Sequence, residues 1–207
     1  MSDWQVSIRD RVRHFFYSKD LSDCQFQVGT GSSSQLFKVH KFIMAISSPV
    51  FEAMLFGLMA NDRPILIEDI EPDVFETMLE YMYTDNVTLV SSDHCYELYY
   101  AAKKYMLPFL QKKCIEFLQS NINAENACRG YEFAKLFDEP SFMKQCLDFI
   151  KYQGTSVLTE TSLKDVKLTT IITILDEDSL NVASEVTLFK AVEMCADNND
   201  KDVTEST

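Results

Sequence analysis

Apolar and polar positions alternate along this chain with two distinct periods. Trp4, Ile8, Val12 and Phe15, joined by Phe16, recur at i, i+4, i+8 and i+11 and outline one face of an amphipathic helix. Two placements of that face stay open: packing on its own domain, or an exchangeable arm that packs on a second copy. Cys24, Phe26 and Val28 then alternate with Asp23, Gln25 and Gln27, the period of a half-buried strand. A Gly/Ser-rich turn over 29–34 leads to Leu36, Phe37 and Val39, so a hairpin is predicted. His40 begins a short helix. Ser48-Pro49 reads as N-cap and first helical residue of another, with Val50, Phe51, Met54, Leu55 and Leu58 on its apolar face.

Ile65-Leu66-Ile67 is a third strand. Pro72-Asp73 opens a helix carrying Val74, Phe75, Met78, Leu79 and Met82. Val87-Thr88-Leu89 is a brief extended piece. Ser91-Ser92-Asp93 caps a helix to Tyr105, and Pro108 starts the next. From about residue 121 the period of two disappears. Asn123 caps a helix with Cys128, Tyr131, Ala134 and Phe137; Pro140 opens one with Phe142, Cys146 and Ile150. Ser184 caps a last helix with Leu188, Phe189 and Val192. Residues 197–207 are almost wholly polar and are expected to be disordered.

Charge narrows the function. The 207 residues carry a net −13, with 11 cations against 16 carboxylates in residues 1–120 and 8 against 16 in 121–207. No basic stripe for nucleic acid is seen, and anionic lipid would be repelled. No run of about 20 apolar residues suits a membrane span, and no apolar h-region follows Trp4 to make a secretory signal. A protein partner is therefore expected, with neither nucleic acid nor membrane.

Catalytic chemistry finds no footing. G-x-S-x-G, the P-loop, G-x-G-x-x-G and H-E-x-x-H are all missing. No two of the six cysteines have C-x-x-C spacing, so no metal site is expected, and buried free thiols are. His94 and Cys95, adjacent on a helix, point about 100° apart. His40 reads as a structural hydrogen-bonding residue. No cofactor is implied.

The order Asp23-Cys24-Gln25-Phe26-Gln27-Val28, Phe37-Lys38-Val39-His40-Lys41, then Ser47-Ser48-Pro49-Val50-Phe51-Glu52, resembles the BTB/POZ domain. Glu71-Pro72-Asp73-Val74-Phe75, Tyr81-Met82-Tyr83-Thr84-Asp85 and Tyr100-Ala101-Ala102-Lys103-Lys104-Tyr105 continue the match. Asn123-Ala124-Glu125-Asn126, Leu136-Phe137-Asp138-Glu139-Pro140 and Leu188-Phe189-Lys190-Ala191 look like the BACK domain. The phrasing is most similar to cytoplasmic BTB–BACK–PHR proteins. The resemblance implies an α+β BTB/POZ domain, a small sheet capped by helices, over 1–120, then an all-α BACK domain over 121–196.

It further implies a homodimer through Trp4, Ile8, Val12, Phe15 and Phe16, with Asp23 and Lys41 in a charged pocket at the interface. Many such proteins are non-catalytic adaptors that recruit a protein substrate to a cullin-3 ubiquitin ligase, in the cytoplasm and also in the nucleus. The cullin contact then maps to Met59, Asn61, Tyr105, Met106, Leu107 and Phe109. Met59 and Tyr105 are expected to be exposed, and Leu107 and Phe109 to fill the core. Asn61 stands where relatives that bind a cullin carry glutamate, which implies binding weaker by about 1.5–3 kcal/mol. Eleven residues follow Ala196, too few for a PHR or Kelch domain. The competing reading is a BTB scaffold that dimerises without a cullin.

Overall fold

The computed structural model describes residues 6–58, 63–163, 166–177, 179–182, 184, 186 and 188–193. Trp4, Met59, Asn61, Cys195 and the 197–207 tail lie outside these described residues. The chain divides into two compact units, Met1–Phe117 and Leu118–Thr207.

The first unit begins with α1 (Ile8–Ser18), whose N-cap Ser7 accepts the Asp10 N–H. Strands β1 (Cys24–Val28) and β2 (Gln35–Val39) pair antiparallel, with Cys24 opposite Val39 and Val28 opposite Gln35. Gly29 turns at φ 86°, a conformation that favours glycine, and a Cβ there would meet the Pro72 ring at 3.2 Å. Helices α2 (Lys41–Ser47) and α3 (Pro49–Phe56) follow. Strand β3 (Ile65–Ile67) adds parallel to β1, for a sheet order β2-β1-β3. Helices α4 (Pro72–Thr84) and α5 (Ser92–Lys104) follow, and α6 (Pro108–Ser120) carries the chain past the end of the unit at Phe117. The N-caps Ser48 and Ser91 and the first-turn prolines 49 and 72 stand where the sequence puts them.

An aromatic cluster ties the sheet to the helices. Phe26 of β1 meets Phe51 and Phe75 edge-on or tilted at 5.4 and 5.6 Å, and Phe37 meets Phe75 at 5.2 Å. Phe51 stacks on Tyr105 at 4.2 Å and 13°. Such pairs add about 0.5–1.5 kcal/mol each beyond area burial. Leu58 departs from its expected place: α3 stops at Phe56, and Leu58 beyond it is fully exposed.

The second unit is helical wherever its described residues have regular structure. Helices α7 (Ala127–Phe137) and α8 (Pro140–Tyr152) form an antiparallel hairpin through Asp138, at φ 58°, with the Glu139 N–H closing on the Ala134 carbonyl at 2.8 Å. Short helices α9 (Gly154–Val157) and α10 (Glu160–Leu163) and then α11 (Leu168–Leu175) follow. Glu132 of α7 caps α11, accepting from the Lys167 N–H and the Thr170 hydroxyl at 2.8 and 2.7 Å.

Two expectations need correction here. Asn123 is not the N-cap of α7; its side chain accepts from the N–H groups of Glu125 and Asn126 in a turn before the helix, because a short Asn side chain closes on its own next residues. Residues 188–193 are helical, yet Phe189 is exposed and Ala191 is the buried member of that turn. Cys95, Cys114, Cys128 and Cys146 are buried free thiols, as expected, and Cys24 is half-buried. Among the described residues no helix is long and apolar enough to cross a membrane, and no cluster of three metal-ligating side chains occurs.

Candidate interaction surface

Helix α1 packs on α4 of its own domain. Phe16 is buried there, its ring 5.4 Å from Tyr83 and beneath the Lys19 ammonium at 4.1 Å. Phe15 is half-buried and meets the His40 ring edge-on at 5.8 Å. This corrects the grouping of Phe16 with the outward face: it is spent on the core of its own chain. Ile8 is 68% exposed, and Val12 lies between the two environments.

His40 joins α1, the sheet and α4. Its Nε2 lies 2.7 Å from the Asp20 carbonyl, which only accepts, so Nε2 carries the ring proton. Nδ1 therefore accepts from the Tyr83 hydroxyl at 2.7 Å, and that oxygen accepts the His40 N–H at 3.0 Å. His40 is structural, as the sequence implies. Burial pushes the Tyr83 hydroxyl up to about 12. The neighbouring Cys24 thiol is also pushed up to about 12, by burial first and by the Asp23 charge second.

Asp23 meets Lys41 through the backbone. Its Oδ1 accepts the Lys41 N–H at 2.7 Å, which satisfies the first donor of α2 and sets a negative charge at the positive end of that helix. His40, the N-cap residue, makes no side-chain cap there. The carboxylate thus replaces a cap that the sequence lacks locally.

The last turn of α5 ends in a Schellman arrangement. The Met106 N–H reaches the Lys103 carbonyl at 3.2 Å and the Leu107 N–H the Ala102 carbonyl at 2.8 Å, with Met106 at φ 53°. Leu107 is buried as expected. Tyr105 is not exposed as expected but 1% exposed, because its ring stacks on Phe51. Phe109, expected in the core, is 74% exposed, since the first turn of α6 points it outward; Met106 is 57% exposed.

The structure brings two separately expected sets together. Ile8 and Val12 of α1 share a groove of about 480 Å³ with Leu107 and Phe109, and Ile43 and Ile46 of α2 line it between them. Ile43 and Ile46 escape the sequence reading. Their signal is a surplus: Phe42, Ile43, Met44 and Ile46 make a seven-residue helix apolar nearly all round, and Met44 alone of them is buried. The groove is lined mainly by apolar and aromatic side chains, and no cluster of three metal-ligating side chains occurs among the described residues.

Comparison with known proteins agrees with this architecture. The BTB/POZ domain family matches residues 12–122, and the family described as BTB And C-terminal Kelch matches 127–206. Human BTB/POZ domain-containing protein 3 is 35% identical over 193 residues, covering 91% of this chain and 37% of its own length. BTB/POZ domain-containing protein 6-A of Danio rerio is 35% identical over 187 residues, covering 90% and 34%. The chain thus spans about a third of the length of the curated relatives it matches. Among solved structures, the BTB domain of zebrafish PATZ1 covers 58% of this chain and all of its own at 24% identity and a TM-score of 0.46, a likeness that carries no weight here. Both matched domains are non-catalytic protein-interaction folds. An α+β unit followed by a helical unit is what these matches describe: the chain belongs to the BTB/POZ family, as a BTB domain followed by a BACK domain related to BTB/POZ domain-containing proteins 3 and 6.

Proposed function

We propose that the chain is the dimerising, partner-holding part of a substrate adaptor for a cullin-3 ubiquitin ligase. The observation that carries this is the groove where exposed Ile8, Ile46 and Phe109 meet on a BTB fold. Three large apolar side chains around one depression are a surface that water disfavours and that a self-complementary copy would cover. Residues 1–120 dimerise and face the cullin; residues 121–196 space a protein substrate from it. The mechanism is proximity, because holding the substrate beside the ligase raises its effective concentration with no chemistry by the adaptor. Such a ligase acts in the cytoplasm, with the nucleus as a second compartment.

Trp4, Ile8, Val12 and Phe15 remain the proposed dimer contacts, with Asp23 and Lys41 beside them. Met59, Asn61, Met106 and Phe109 remain the proposed cullin contacts, whereas Tyr105 and Leu107 are buried. A dimerising scaffold without a cullin is favoured by that same burial, which removes two of the six side chains from direct contact. Light scattering at micromolar concentration and titration calorimetry with the cullin-3 amino-terminal domain test both. A dimer that Ile8→Asp makes monomeric, and that binds the cullin domain, is the expected result. A dimer with no cullin binding selects the scaffold; a monomer unaffected by Ile8→Asp ends both.

A further inference from the structure

Cys95 of α5 and Cys114 of α6 meet inside the first unit. Both are free thiols and both are wholly buried, at 0% exposure. The Cys95 thiol donates to the Cys114 carbonyl at 3.4 Å and is also within hydrogen-bonding reach of the Cys114 thiol. That neighbouring thiol, and then burial, push the Cys95 thiol far above its ordinary range. Core packing asks only for two small apolar side chains here. Sulfur beside sulfur adds a reaction that such side chains lack.

Neither thiol has the makings of a fast redox sensor. Sensor cysteines are exposed thiolates beside positive charge, whereas Cys95 is covered and held as the neutral thiol. The same cover has a second consequence. Reduction of a disulfide needs an attacking thiolate to reach a sulfur, and a bridge at this place is closed to one. Oxidation and reduction both wait for α5 and α6 to part locally. The closed fold then keeps whichever state it last took. The sulfurs have only to close from hydrogen-bonding reach to a bond length of about 2.05 Å.

We propose that Cys95 and Cys114 are a latent disulfide, made by a small two-electron oxidant of the peroxide class, that locks α5 to α6. One thiolate attacks a peroxide oxygen: an S–O bond forms, the O–O bond breaks, hydroxide leaves and a sulfenic acid remains. The second thiolate attacks that sulfur: the S–S bond forms, the S–O bond breaks and a second hydroxide leaves. Two thiols and one hydrogen peroxide give one disulfide and two waters. Two electrons pass from sulfur to oxygen, and the two thiol protons end in the water. The bridge closes a loop with 18 residues between its ends, which takes freedom from the unfolded chain. The proposal does not rest on the adaptor reading.

The test exposes the whole chain, at low micromolar concentration, to hydrogen peroxide. Catalase stops the reaction, N-ethylmaleimide in denaturant blocks the remaining thiols, and mass spectrometry maps the peptides. The expected product is an intrachain Cys95–Cys114 link, two hydrogens lighter than the reduced chain. Urea below the unfolding midpoint is expected to speed its formation about tenfold or more, because it favours opening. Met106, 57% exposed, is the internal control, with an oxidation rate that this urea leaves unchanged. The linked chain is expected to melt about 5–10 °C higher, and dithiothreitol in urea reverses the rise. Cys114→Ala abolishes link and rise, while Cys24→Ala keeps both. Cys95→Ala replaces a Cys114→Ala chain that fails to fold. Chain oxidised in concentrated urea supplies a comparison free of any variant, since its six cysteines pair without guidance from the fold. The same mixture of pairs from folded and unfolded chain overturns the proposal. So does sulfinic acid at either cysteine without a link, a link that leaves the melting point unchanged, or a pair still reduced in that urea when Met106 is fully converted.

Discussion

The Ser48 hydroxyl donates to the Tyr105 carbonyl at 2.6 Å while its oxygen accepts the Phe51 N–H at 3.3 Å. One buried hydroxyl therefore caps α3 and satisfies a carbonyl at the end of α5, 57 residues away in the chain. Ser48→Ala removes both bonds. It leaves a buried N–H and a buried carbonyl without those partners, which is expected to cost about 2–3 kcal/mol. Urea denaturation at neutral pH measures it.

Helix α1 separates two roles on neighbouring positions. Phe16→Ala empties a packed site and is expected to destabilise the fold by about 3–5 kcal/mol. Ile8→Ala lies on the exposed side and is expected to change monomer stability by less than about 0.5 kcal/mol. Thermal unfolding at low concentration distinguishes them. Equal losses would mean that the whole helix, and not one side of it, is bound to its own domain.

Met106 offers a prediction of the opposite sign. Met106→Gly relaxes a left-handed backbone and is expected to raise stability by about 0.5–1 kcal/mol, while it weakens any partner that covers the Met106 side chain. Denaturant midpoints and calorimetry read the two effects separately.

Gly154 sits where a Cβ would lie 2.6 Å from the Asn181 carbonyl oxygen and 3.1 Å from Val182 Cγ1. Backbone does not yield as a flexible side chain does, so Gly154→Ala is expected to cost about 2 kcal/mol or more. Gly31→Ala, with open space around it and only its φ of 55° as penalty, is expected to cost about 1 kcal/mol. Differential scanning calorimetry compares them.

Alkaline pH should act through the His40–Tyr83 junction. An unfolded tyrosine loses its proton near pH 10, whereas folded Tyr83 keeps it to about 12. Through Tyr83 alone, the unfolded state therefore binds fewer protons between these values, and that contribution to stability, full below about pH 10, falls as pH rises, by at most about 1.4 kcal/mol per pH unit. Tyr83→Phe should lower stability at neutral pH through the lost His40 bonds and make the alkaline slope shallower. Cys24, raised in the same direction, leaves part of the slope in place. Urea midpoints from neutral to alkaline pH provide the measurement.

Much of the architecture was legible because its signals are local. Alternation at Cys24, Phe26 and Val28, the serine caps at 48 and 91, and the prolines at 49, 72, 108 and 140 act on the residues next to them, and the elements stand at those places. The switch from mixed periods to helices alone likewise marks the second unit. The partition of apolar residues between core and surface was not local. Tyr105 and Phe109 are equally plausible in either place by spacing; stacking on Phe51 takes one inside, and the first turn of α6 turns the other out. Phe16 and Ile8 lie on one expected helical face, yet a single helix offers only part of its girth to α4, so one is buried and one is not. The groove itself joins side chains from residue 8 to residue 109, and its Ile43 and Ile46 become visible as a surplus only once Met44 has taken the one inward position. Local bonding energies fix which residues form each element. Which side of an element remains in the open depends on what else has already filled the core, and that is decided by contacts between distant parts of the chain.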